Sequence, residues 1–166
     1  MAIKVFDLDL FDDHYYIKRN TIVEQIQFDN RTFYAKFERI NEALTPLLLD
    51  QHLDRQFIIA IPLLKNDRTN YLVLEYKGEE HQRFYHLVKH LFNTLTIDNY
   101  HIYQGKDEEK VQVFIEVDNI TLQEADLQLQ ALSLALKQKL TKKWKCLPSA
   151  SLPEAYIIVT LPYKAI

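Results

Sequence analysis

Two glycines, Gly78 and Gly105, are all that this chain of 166 residues contains, where an average composition would place about a dozen. Loops that cradle phosphates or dinucleotides need several glycines for close backbone approach, and neither GxGxxG nor GxxxxGK occurs. Nucleotide binding by those routes is excluded. The turns must use other residues that tolerate positive φ, and Asp and Asn are the usual substitutes. They stand as Asp29-Asn30, Asn66-Asp67, Asp98-Asn99 and Asp118-Asn119, each between apolar segments, and mark where the chain reverses.

Between those pairs the pattern predicts strands at 3–10, at 21–28, at 57–64 (FIIAIPLL) and at 70–76 (NYLVLEY), the last two as a hairpin. Phe33, Phe37, Ile40 and Leu44 fit one helical face, broken near Pro46 and resumed to Leu53. A helix over 79–95 carries the stripe Phe84, Leu87, Val88, Leu91, Phe92 and Leu95. Strands at 99–104 and 110–117 form a second hairpin around Gly105, a long helix covers 121–143, and a strand at 156–163 closes the chain. Hairpins joined by helices place the helices on one face of a sheet. The expected fold class is α+β, a two-layer sandwich with a largely antiparallel sheet. Length alone reads as a single domain, 1–166, with an N-terminal extension over 1–55 and a ββαββαβ core over 56–166.

Lys plus Arg is 20 against 23 Asp plus Glu, a net charge of −3. That argues against a surface that binds nucleic acid all over, while leaving room for a local basic patch. Cys146 is the only cysteine, so an intramolecular disulfide is impossible and an intracellular address is the simpler reading. The longest uncharged apolar run, 57–64, is far shorter than a membrane span, and the first residues lack a signal-peptide apolar stretch. The expected location is the cytoplasm.

Three constellations could carry chemistry. On a single strand, Asp7 and Asp9 of VFDLDLFDDH project to one side, as two carboxylates holding a divalent cation must. The stretch also resembles the first motif of haloacid-dehalogenase-like phosphatases, though Leu10 and Phe11 replace the glycine and threonine expected there. Strand acids facing water are the plain structural alternative. His86 and His90, four apart on a helix with His81 before them, have metal-ligand spacing; beside Arg83 and Lys89 they equally suit a solvated helical face. KQKLTKKWK at 137–145 places Lys142, Lys143 and Lys145 around Trp144, the only tryptophan. Lysines contact phosphates and an exposed indole stacks on bases. Lysines also oppose the macrodipole at helix C-termini, where a tryptophan packs under a sheet. No GxSxG elbow or Cys–His pairing suggests nucleophilic catalysis.

HLDRQFIIAIPLLKNDRTNYLVLEY, a helix, KVQVFIEV, a second helix and IIVTLPYK together resemble the core of the archaeo-eukaryotic primase superfamily. In that family a strand ends with two acids flanking a hydrophobic residue and a later strand carries a histidine, jointly binding metal and nucleotide. Here Glu75 falls on the first acid, Lys77 replaces the second and Gln112 stands at the histidine. An ammonium does not belong among carboxylates that hold a metal, so the resemblance implies a degenerate, non-polymerising relative.

The sequence therefore suggests a binding module without catalytic activity or cofactor. It would contact single-stranded nucleic acid or a replication partner through Lys142, Lys143, Trp144 and Lys145. The first alternative is a protein-interaction or homo-oligomerisation module, favoured by 10 Tyr and 9 Phe. The second is a divalent-metal enzyme using Asp7 and Asp9.

Overall fold

The computed structural model describes residues 2–166. They form two compact units, one of residues up to Asn66 together with Ala150–Leu161, the other of Asp67–Ser149 with Pro162–Ile166. The chain changes unit at Asn66/Asp67, and its last segment contributes to both.

In the first unit, β1 (Ala2–Val5) and β2 (Leu8–Phe11) form a hairpin, and β4 (Glu24–Phe28) pairs β5 (Arg31–Ala35) in a second two-stranded sheet. Between them in sequence lies β3 (Tyr15–Lys18). It pairs with β6 (Phe37–Ile40) and β7 (Ile59–Pro62), and β12 (Ile158–Thr160) completes an antiparallel sheet of order β12-β7-β3-β6. Helix α1 spans Pro46–Leu53, with the Thr45 hydroxyl accepting from the Leu48 amide and proline at the first helical position, where its missing N–H is harmless. A short 3₁₀ turn covers Glu154–Tyr156. The helix expected over 33–44 is absent. Asp29 and Asn30 both have positive φ (50° and 59°), a tight reversal that commits the following residues to strand pairing. Phe33 is buried edge-on to Tyr156, their ring centroids 4.9 Å apart.

The second unit contains β8 (Arg68–Lys77), α2 (His81–Thr94), β9 (Tyr100–Gln104), β10 (Lys110–Thr121), α3 (Leu122–Lys137), β11 (Trp144–Leu147) and β13 (Lys164–Ala165). Its antiparallel sheet has the order β11-β8-β10-β9-β13. Leu72, Leu74 and Tyr76 of β8 and Val111, Val113 and Ile115 of β10 share one face. There they pack with Phe84, Val88 and Phe92 of α2 and Ala125, Leu129, Leu132 and Leu136 of α3. The β9–β10 hairpin and the two helical stripes follow the apolar periodicity. Strands β7 and β8 do not form the expected hairpin, because each joins a different sheet.

Helix α3 is capped by Thr121, whose Oγ1 accepts from the Glu124 amide at 3.2 Å and donates to the Glu124 carboxylate at 3.0 Å. It ends at Lys137 instead of continuing to 143. Leu140 and Trp144 enter the core once the chain leaves the helix, and burying an indole outweighs two further turns of a lysine-rich helix. The fold is thus mixed α+β with antiparallel sheets.

Candidate functional site

Strand β11 lies at the edge of the five-stranded sheet, its Trp144 opposite Tyr76 and Lys145 opposite Glu75. Alternation sends Trp144 to the helix-covered face. It is 3% exposed, its ring 6.0 Å from Phe84 and its Nε1 donating to Ser133 Oγ at 2.9 Å. The base-stacking role expected of Trp144 is therefore corrected to a core role, since neither indole face is open to a ligand. The lysines behave differently. Lys137, Lys139, Lys142, Lys143 and Lys145 are all exposed, and none forms a salt bridge among the described residues. Five cations in nine residues thus gather at the end of α3 and along β11 in a chain of net charge −3.

Cys146 is half-buried beside this edge, and burial raises its thiol above the ordinary range, an effect that Lys142 and a hydrogen bond with Ser133 oppose. A thiol held protonated is a poor nucleophile.

Glu75 and Gln112 face each other across β8 and β10. The Gln112 amide donates to Glu75 Oε2 at 2.9 Å, and Lys110 Nζ lies 3.4 Å from the same oxygen. Lys77, at the position of the second acid in the primase comparison, instead pairs with Asp107 at 3.2 Å. The carboxylate is engaged by an amide and an ammonium, an arrangement suited to joining strands. Among the described residues no group of three or more His, Cys, Asp or Glu could hold a metal ion.

Asp7 and Asp9 do not share a strand. Phe6 (φ 54°) and Asp7 form the two-residue turn between β1 and β2, while Asp9 lies on β2 and both acids are exposed. The side-by-side carboxylate geometry required a continuous strand over 3–10, which the turn interrupts. His86 and His90 are exposed on the outer side of α2, away from buried Phe84, Val88 and Phe92.

Sequence reasoning passed over His52. It is fully buried on α1, accepting at Nδ1 from the Ile59 amide (3.0 Å) and donating from Nε2 to the Leu161 carbonyl (2.9 Å). No local pattern betrays a residue whose partners lie up to 109 positions away. A cavity in the first unit was missed for the same reason: its walls come from residues 16–39 and 153–155.

Residues 1–70 match the family model of a domain of unknown function, DUF1882. No curated protein matches the chain. Among the described residues no helix is long and apolar enough to cross a membrane.

Proposed function

We propose that this protein is a non-catalytic binding module whose lysine-rich edge contacts a single-stranded nucleic acid through its phosphates. The supporting observation is the set of five exposed lysines, Lys137, Lys139, Lys142, Lys143 and Lys145, none of them ion-paired among the described residues. With Trp144 buried, such contact reads charge rather than bases and is sequence-independent. On this reading the second unit is a two-layer α+β sandwich, a degenerate primase-like scaffold in which Glu75, Lys110 and Gln112 retain only a structural role, and the protein works in the cytoplasm.

Fluorescence anisotropy of a labelled oligonucleotide, titrated across a salt series, tests it. Each phosphate neutralised on a single strand contributes about −0.7 to the slope of log K against log salt, so the full cluster gives at most about −3.5. Reversing Lys142, Lys143 and Lys145 to Glu abolishes binding at low salt; retained affinity refutes the proposal.

A second reading, a protein-interaction or self-association module, draws on α3. Leu127 and Leu134, seven residues apart on its outer side, are 67% and 63% exposed with Ala131 exposed between them. Sedimentation across protein concentration distinguishes this reading from the first, since only self-association makes the mass concentration-dependent.

A further inference from the structure

The first unit contains a cavity of about 290 Å³ that none of the sequence motifs anticipated. Tyr16 of β3, Glu24 and Ile26 of β4, Arg39 of β6, and Pro153 and Glu154 at the 3₁₀ turn line it. The side-chain carboxylates of Glu24 and Glu154 make no hydrogen bond or ion pair among the described residues. Arg39 directs Nε to Asn41 Oδ1 at 2.7 Å. Tyr16, Glu24, Arg39 and Glu154 thus share one cavity wall, and burial foremost pushes the Tyr16 phenol up, with Arg39 opposing and Glu154 and Glu24 reinforcing that shift. His14 stands edge-on to Tyr16, ring centroids 5.7 Å apart, and its Nε2 is buried without a hydrogen-bond partner.

These observations narrow the ligand. Two unpaired carboxylates against one guanidinium leave the walls net negative, so an occupant must bring positive charge; Arg39 favours a carboxylate on the same molecule. Ile26 and Pro153 supply apolar surface. The volume sits at the lower limit for small-molecule sites, too small for a nucleotide and adequate for an amino acid. We propose that this cavity binds a free apolar α-amino acid as its zwitterion, with the ammonium between Glu24 and Glu154, the carboxylate on Arg39 and the side chain against Ile26 and Pro153. The cavity is built by the first unit and the lysine edge by the second, from different residues, so its failure would leave the nucleic-acid proposal standing.

Calorimetric titration of the full chain with L-leucine tests this, alongside 3-methylbutylamine and 4-methylpentanoate, which each lack one charge. Saturable 1:1 binding of leucine is expected, with each analogue weaker by at least about tenfold, the loss of one charged contact. Glu154→Gln and Glu24→Gln weaken leucine and the amine, whereas Arg39→Gln weakens leucine and the acid. Circular dichroism melts confirm that the variants fold, as expected for exposed positions. Absence of leucine binding, equal affinity for leucine and the amine, or leucine binding unchanged in folded glutamate variants would each overturn the proposal.

Discussion

The indole Nε1 of Trp144 donates to the hydroxyl of Ser133 at 2.9 Å, and both side chains are buried. The bond ties edge strand β11 to helix α3 and gives the buried N–H its partner. Ser133→Ala leaves that donor unsatisfied and should cost about 1–2 kcal/mol in urea unfolding. The emission of Trp144 should resist acrylamide in the native protein and stay unchanged when an oligonucleotide binds. Quenching by the oligonucleotide would mean that the indole leaves the core.

His52 should be among the most sensitive polar positions in the first unit. Its two ring nitrogens serve the Ile59 amide and the Leu161 carbonyl, which joins α1, β7 and the end of β12. The pattern requires the neutral ring with its hydrogen on Nε2. His52→Ala creates a void and strands two backbone groups, an expected loss of about 3 kcal/mol. His52→Phe restores bulk but not the hydrogen bonds, so it should recover only part of that loss in thermal unfolding.

What the sequence revealed and what it hid follow from the range of the interactions concerned. The stripes of α2 and α3 and the face of β10 are local periodicities, and burial obeys them at Phe84, Val88, Phe92, Val111 and Val113. Asp29-Asn30 and Asn66-Asp67 were legible as reversals because scarce glycine leaves Asx residues to adopt positive φ, and all four do. Residues 33–44 were misread because Phe33, Phe37 and Ile40 fit a helical spacing as well as two short strands, and only the turn before them decides. Strand partners were not legible: adjacent β7 and β8 enter separate sheets, while β7 pairs with β12 across most of the chain. At the candidate site, the lysines could be found from charge density, but Trp144 could not be assigned to core or surface before its strand face was known.

His14 should give the first unit an acid-sensitive component. Burial foremost, then the Arg39 charge, lowers its pKa from 6.5, while Glu154 and Asp13 oppose them. The unfolded chain therefore takes up the proton first as pH falls. Stability is fully present above about pH 6.5 and is lost as pH falls from there toward the lower folded value. Denaturant unfolding between about pH 7.5 and about pH 5 should show a shallower decline for His14→Gln than for the parent chain. An equal decline in both would assign the acid sensitivity to other groups.

The end of α2 shows how far the shortage of glycine extends, and offers a stabilising substitution. The Ile97 amide donates to the Phe92 carbonyl at 2.8 Å and the Thr96 amide to that of Asn93 at 3.2 Å, the two bonds of a Schellman motif. The motif requires a left-handed residue directly after the cap Leu95, and Thr96 occupies that position with φ 58°. A β-branched side chain is strained there, by about 1–2 kcal/mol relative to glycine on backbone grounds. Glycine's larger unfolded-state entropy offsets part of that gain. Thr96→Gly should therefore stabilise the protein by about 0.5–1 kcal/mol, whereas Thr96→Val, equally branched, should not. The exposed Thr96 side chain leaves little packing to lose. A rise in unfolding free energy for the glycine variant alone would attribute the effect to backbone strain; a loss would show that the threonine side chain holds the helix end by a contact stronger than that strain.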